Sequence, residues 1–279
     1  YSDRRKTSLN SNATSIDWSP DGQFLYVSIK IDRSENMLVG NTNWNISDVG
    51  GANSRTSPTN YKYQFIPEVA SGGDCWSGIV TKSPALITGG QLILCLTIGS
   101  ANTKLFQYTL PIPPEIRQGD HPDNPAGSPF YPSYQPVLVG SLDLNAFNTA
   151  DGMNDLQMSP DGTRMIGNSS NVPSNATLNQ WNLSTPYDIL GTLAYQPRVD
   201  IPGYDWGALH VDPSGYCLFL TTTSGEVHSF TMNAPWELST LNTTPSSVLD
   251  VSAQLPGRIS SVFVTDDNLY VLGFDNGDI

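Results

Sequence analysis

Apolar residues fall at every second position in four short stretches of this chain: Ile16 and Trp18, Leu156 and Met158, Leu209 and Val211, Val262 and Val264. Side chains two residues apart share one face of an extended chain, so each pair predicts a strand with one apolar face. A tight polar turn follows: Ser19-Pro20-Asp21-Gly22, Ser159-Pro160-Asp161-Gly162 and Asp212-Pro213-Ser214-Gly215, with looser copies at Thr88-Gly89-Gly90 and Thr265-Asp266-Asp267-Asn268. The glycine supplies the backbone freedom such a reversal needs. More continuous apolar runs come next, at Phe24 to Val27, Leu92 to Leu96, Arg164 to Ile166, Tyr216 to Leu220 and Leu269 to Leu272. These predict strands covered on both faces.

A third strand carries an aromatic two positions before an aliphatic residue: Tyr108 and Leu110, Trp181 and Leu183, Phe230 and Met232. Directly after it stands a tetrad of Pro, aromatic, acid and aliphatic, at Pro186-Tyr187-Asp188-Ile189 and Pro235-Trp236-Glu237-Leu238. Weaker versions are Asn43-Trp44-Asn45-Ile46 and Pro113-Pro114-Glu115-Ile116. Proline lacks a ladder donor and ends the strand, leaving the ring to pack back over the sheet. A more polar fourth strand closes the unit, as at Tyr61 to Ile66, Leu193 to Val199 and Val248 to Ala253. From turn glycine to tetrad the step is 21 residues (Gly22 to Asn43), 23 (Gly90 to Pro113), 24 (Gly162 to Pro186) and 20 (Gly215 to Pro235).

Four antiparallel strands repeated at about fifty residues are the period of a β-propeller blade, so the expected fold is an all-β propeller. Five units are visible, at 10–68, 69–146, 147–200, 201–253 and 254–279, within one domain covering 1–279. The segment Tyr1 to Leu9 reads as a fourth strand that completes the last unit, which would remove exposed edges. A longer parent chain with six or seven blades is the alternative. The segment Arg117 to Tyr134, with His121-Pro122-Asp123-Asn124-Pro125, has no apolar periodicity and reads as an excursion from the second unit.

Composition narrows the function. With 13 basic against 26 acidic residues the net charge is −13, which argues against a nucleic-acid binder. No run approaches the roughly 18 apolar residues that span a bilayer, so no membrane insertion is expected. Cys75, Cys95 and Cys217 follow no metal-ligand spacing and read as inert thiols. Six Asn-x-Ser/Thr sequons, at Asn12, Asn45, Asn168, Asn175, Asn182 and Asn242, are what chance gives in a chain rich in these residues.

The Ser-Pro-Asp-Gly turn, followed at a distance by Leu183-Ser184-Thr185-Pro186-Tyr187-Asp188-Ile189, resembles the short β-propeller repeats of tail, fibre and other virion proteins of marine bacteriophages, and related repeats in some secreted bacterial proteins. The resemblance is sharpest in the third and fourth units. It implies the propeller architecture and a virion setting, with a secreted or bacterial-envelope location as the alternative. The run Trp18-Ser19-Pro20-Asp21-Gly22-Gln23-Phe24-Leu25-Tyr26-Val27 also looks like a blade of the lactonase-type propellers, where it speaks to fold rather than to a site. A sialidase-type Asp box fails, because Asp21 and Gly22 are adjacent.

Candidate chemistry is sparse. The three histidines, His121, His210 and His228, show no metal-site spacing, and His210 is expected to be a hydrogen-bonded strand residue. A calcium set of Asp266, Asp267, Asp275 and Asp278 departs from the usual loop pattern. No cofactor is implied. Asp74, Asp151 and Asp205 lie on segments leading into first strands, with Trp76, Tyr204, Trp206 and Arg258 at comparable places. Together they are expected to ring one face, where aromatic platforms beside carboxylates suit sugars or peptides, or to serve as blade wedges and turn caps. The expectation is a non-enzymatic virion structural or host-recognition module, binding other virion proteins or a host receptor or glycan, with homo-oligomerisation open. The alternatives are a lactonase-like or other hydrolytic propeller and a protein-interaction scaffold.

Overall fold

The computed structural model describes residues 13–18, 24–29, 34–39, 61–65, 73–81, 91–98, 102–109, 137–144, 153–172, 175–204, 207–255, 258–265 and 269–273. They form an all-β chain of antiparallel sheets, each a meander in chain order. The first sheet is β1 (Ala13–Trp18), β2 (Phe24–Ile29), β3 (Ser34–Val39) and β4 (Tyr61–Phe65). The second is β5 (Gly73–Thr81), β6 (Gln91–Ile98), β7 (Asn102–Thr109) and β8 (Val137–Asp143). The third is β9 (Met153–Met158), β10 (Arg164–Val172) and β11 (Asn175–Leu183), with β12 (Leu193–Tyr195) and β13 (Val199–Pro202) both paired to β11. The fourth is β14 (Leu209–Val211), β15 (Cys217–Thr221), β16 (Glu226–Thr231) and β17 (Ser247–Asp250), and the fifth contains β18 (Ile259–Val264) and β19 (Leu269–Gly273). The predicted segments Tyr1 to Leu9 and Arg117 to Tyr134 lie outside the described residues.

One predicted strand divides. Leu193 to Val199 is not continuous: β12 pairs with Trp181 to Leu183 and β13 with Asn175 to Leu178. Pro197 falls in the gap, and a proline cannot donate to a ladder.

The turn and the tetrad recur together because they touch. In the third sheet the Tyr187 N–H donates to the Gly162 carbonyl at 2.8 Å, and in the fourth the Trp236 N–H donates to the Gly215 carbonyl at 2.9 Å. Both glycines are left-handed, at φ 70° and 77°. A Cβ on Gly162 would come within 2.5 Å of the Tyr187 ring, and one on Gly215 would run into the Trp236 ring. Only glycine fits both demands. The acid of the turn is a local cap: Asp161 Oδ1 accepts from Ser159 Oγ and from the Thr163 N–H and Oγ1. In the fourth sheet the order is reversed, and Asp212 Oδ1 accepts the Cys217 N–H as Ser159 Oγ accepts that of Arg164.

The core lies between sheets. Leu105 of the second sheet and Leu144, just past its last strand, bury themselves against Met153, Leu156, Met165 and Trp181 of the third. Ile166, Leu178 and Ile201 of the third meet Leu209, Leu218, Leu220 and Phe230 of the fourth. Ala208 and Val227 of the fourth meet Ile259, Val262 and Val271 of the fifth. Burying one such aromatic is worth on the order of 4–6 kcal/mol at about 25 cal/mol/Å².

Polar side chains fix these junctions. Gln107 Oε1 accepts the Ile189 N–H at 3.0 Å, and Gln180 Oε1 accepts the Leu238 N–H at 2.8 Å, so a third-strand glutamine holds the tetrad of the following sheet. Arg164 Nη1 donates to the Pro235 and Trp236 carbonyls and lies 3.5 Å from the Glu237 carboxylate. First strands pack in sequence, β1 on β5, β5 on β9, β9 on β14 and β14 on β18, and β18 returns to β1. Asp155 Oδ2 accepts the Leu209 N–H across one such junction at 3.0 Å, and Ser261 Oγ accepts the Ile16 N–H across the last at 3.1 Å.

Candidate functional site

Alternation along β16 puts Glu226, His228 and Phe230 on one face, and the buried Phe230 shows that this face meets the third sheet. Tyr204, on the segment after β13, is carried into the same junction. Its hydroxyl lies 2.6 Å from His228 Nδ1, its ring stands edge-on to the imidazole at 88° with centroids 5.0 Å apart, and it meets Phe230 at 5.5 Å.

On its other side His228 Nε2 lies 3.3 Å from Glu226 Oε2. A carboxylate only accepts, so Nε2 carries the proton and Nδ1 is the acceptor for the Tyr204 hydroxyl. Glu226 is held by the turn that precedes it. Ser224 Oγ donates to Glu226 Oε2 at 3.1 Å, Thr222 Oγ1 accepts the Glu226 N–H at 3.1 Å, and Gly225 makes the reversal with φ 85°. Burial pushes the Tyr204 phenol above its usual range, and the Glu226 charge adds to the effect. Tyr204 is therefore a neutral hydroxyl at physiological pH. A carboxylate, an imidazole and a phenol stand in line, with side-chain exposures of 38% for Glu226 and 13% for His228.

Of the residues expected to ring one face, Tyr204 is buried in this junction at 7% exposure, as a wedge between sheets would be. Arg258 is half-buried immediately before β18. Asp74 and Trp76 lie within β5 rather than on the segment leading into it, and Trp76 occupies a break in register between Cys75 and Ser77. Asp151, Asp205 and Trp206 lie outside the described residues, as do His121 and the four aspartates of the calcium set. Among the described residues no group of three His, Cys, Asp or Glu is placed to hold a metal. No helix among them is long and apolar enough to cross a membrane. His210 is the strand residue expected, with Nε2 3.1 Å from the Val264 carbonyl. The sequon residue Asn168 is buried.

Glu226 is not among the candidate residues of the sequence, and His228 has no partner there. The signal was present as an acid, an imidazole and an aromatic at every second position of one strand. Tyr204 is 24 residues away, and only packing joins them.

No protein-family model and no curated protein matches the chain. Among solved structures it is similar to a putative 6-phosphogluconolactonase from Bacteroides fragilis NCTC 9343, at 14% identity and a TM-score of 0.44, over 86% of this chain and 55% of that one. A second, from Bacteroides uniformis ATCC 8492, gives 14% identity and a TM-score of 0.44, over 85% of this chain and 57% of that one. The chain thus spans little more than half the length of either. These neighbours correct the expectation of a non-enzymatic virion or host-recognition module, since they stand with its lactonase-like alternative. At that distance neither residues nor a reaction carry across.

Proposed function

We propose that the five sheets are the blades of a closed β-propeller and that the junction of the third and fourth carries a hydrolytic site acting on esters or lactones. The cyclic packing of first strands, with the Ser261 bond to Ile16 repeating the Asp155 bond to Leu209, supports the closed ring. The observation that carries the activity is the line Glu226, His228, Tyr204: a base oriented by a carboxylate and joined to a hydroxyl.

In the proposed reaction a water molecule beside Tyr204 adds to the acyl carbon. Its proton passes to the phenol oxygen while the phenol proton passes to His228 Nδ1. The resulting imidazolium is stabilised by Glu226, the positioning residue. When the tetrahedral intermediate collapses, the acyl C–O bond breaks and the stored proton returns through Tyr204 to the leaving alkoxide. The raised phenol pKa suits a relay of this kind, because Tyr204 stays protonated between transfers.

The test is hydrolysis of p-nitrophenyl acetate and glucono-δ-lactone by the purified chain, followed by H228Q, Y204F and E226Q. His228→Gln should lower kcat/KM by about a hundredfold or more, the usual scale of acid–base catalysis, with the melting temperature kept within a few degrees. No hydrolysis above buffer, or losses that only track the folded fraction, would make this junction purely structural.

A further inference from the structure

The substrate class of this site can be read from the strand beside it, an inference that rests on the hydrolytic reading. β16 and β17 set Glu226 opposite Asp250 and His228 opposite Val248. Residues paired across an antiparallel ladder share a face, with Cβ atoms roughly 4.5–5.5 Å apart. The outermost strand therefore places an exposed carboxylate beside Glu226 and an exposed aliphatic side chain beside His228, the latter 53% accessible.

Like charges directly opposite one another oppose strand pairing. Asp250 is nonetheless held ionised. Hydrogen bonds from Ser252, its N–H at 2.9 Å among them, keep the Asp250 carboxyl below its usual range. A molecule approaching His228 over β17 passes two carboxylates and one apolar side chain, on a chain whose net charge is −13. Carboxylates accept hydroxyl and ammonium donors and repel anions.

We propose that Asp250 is a specificity-determining residue, acting with Glu226 so that the site takes uncharged or cationic esters and lactones and rejects those carrying phosphate or carboxylate. The experiment compares kcat/KM for glucono-δ-lactone and its 6-phosphorylated counterpart, at low and at 0.5 M salt, in the wild-type chain and in Asp250→Asn. Asparagine keeps the oxygen that accepts the Ser252 N–H. The expected result is a preference for the neutral lactone on the order of tenfold at low salt, shrinking at high salt as charges are screened and shrinking about threefold in D250N. Equal rates on both lactones, or a preference that neither salt nor D250N alters, would overturn the assignment while leaving the hydrolytic reading intact. Turnover of neither lactone nor p-nitrophenyl acetate would overturn both.

Discussion

His210 lies inside the junction of the fourth and fifth sheets, with Phe219 and Phe263 beside its ring at centroid separations of 6.4 and 4.7 Å. Its Nε2 must carry the proton donated to the Val264 carbonyl, and its Nδ1 is buried with no hydrogen-bond partner. Burial pulls its pKa down to about 4, against the opposing pull of that carbonyl and of the Asp212 charge. The unfolded chain then binds a proton that the folded chain refuses between about pH 6.5 and 4. Stability from this residue is complete above the unfolded value and falls as pH drops toward the folded one, by on the order of 3 kcal/mol. Denaturant unfolding across that window should show the slope in the wild-type chain and a flatter one in His210→Gln, which keeps a donor for Val264. Equal slopes would place the acid sensitivity elsewhere.

At the scale of elements, the glutamine latch sets how successive sheets meet. Gln180 Oε1 takes the buried Leu238 N–H while its Nε2 donates to Asn182 Oδ1. Gln180→Ala strands that N–H, a loss of about 1–3 kcal/mol, and hydrogen exchange at Leu238 should rise with it. The half-buried Gln196→Ala, whose side-chain amide makes only a 3.4 Å contact to the Ala194 carbonyl, should cost under about 0.5 kcal/mol. An unchanged Leu238 amide would mean that the tetrad is held by its ring alone. Much of this level is legible in the sequence. Alternation locates β1, β9, β14 and β18, and the turn glycines locate the hairpins, because both signals are local. Gln107 before Tyr108 and Gln180 before Trp181 were a visible repeat, but their partners lie 82 and 58 residues away on another sheet. The Tyr204–His228 pair was hidden for the same reason, and the split between β12 and β13 needed only the weight of Pro197.

For the whole molecule the deciding contact is the one between the ends of the described chain, 245 residues apart, where Ser261 Oγ accepts the Ile16 N–H. Register with their hairpin partners makes Ser261 the counterpart of Asp155, and Ile16 the counterpart of Leu209. The same bond therefore joins the fifth sheet to the first as joins the third to the fourth. In an open arc of sheets the first and last would fray separately, and their amides would exchange at low free energy. In a closed ring the seam is as protected as any other junction, because opening it exposes both flanking sheets together. Ser261→Ala leaves a buried backbone donor unmet and should lower global stability by about 1–3 kcal/mol, with one cooperative transition retained and the Ile16 amide exchanging near the global limit in the wild-type chain. Fast Ile16 exchange in the wild-type chain, together with an unfolding midpoint that S261A does not move, would show that the sheets form an arc, and the propeller reading would fall with the ring.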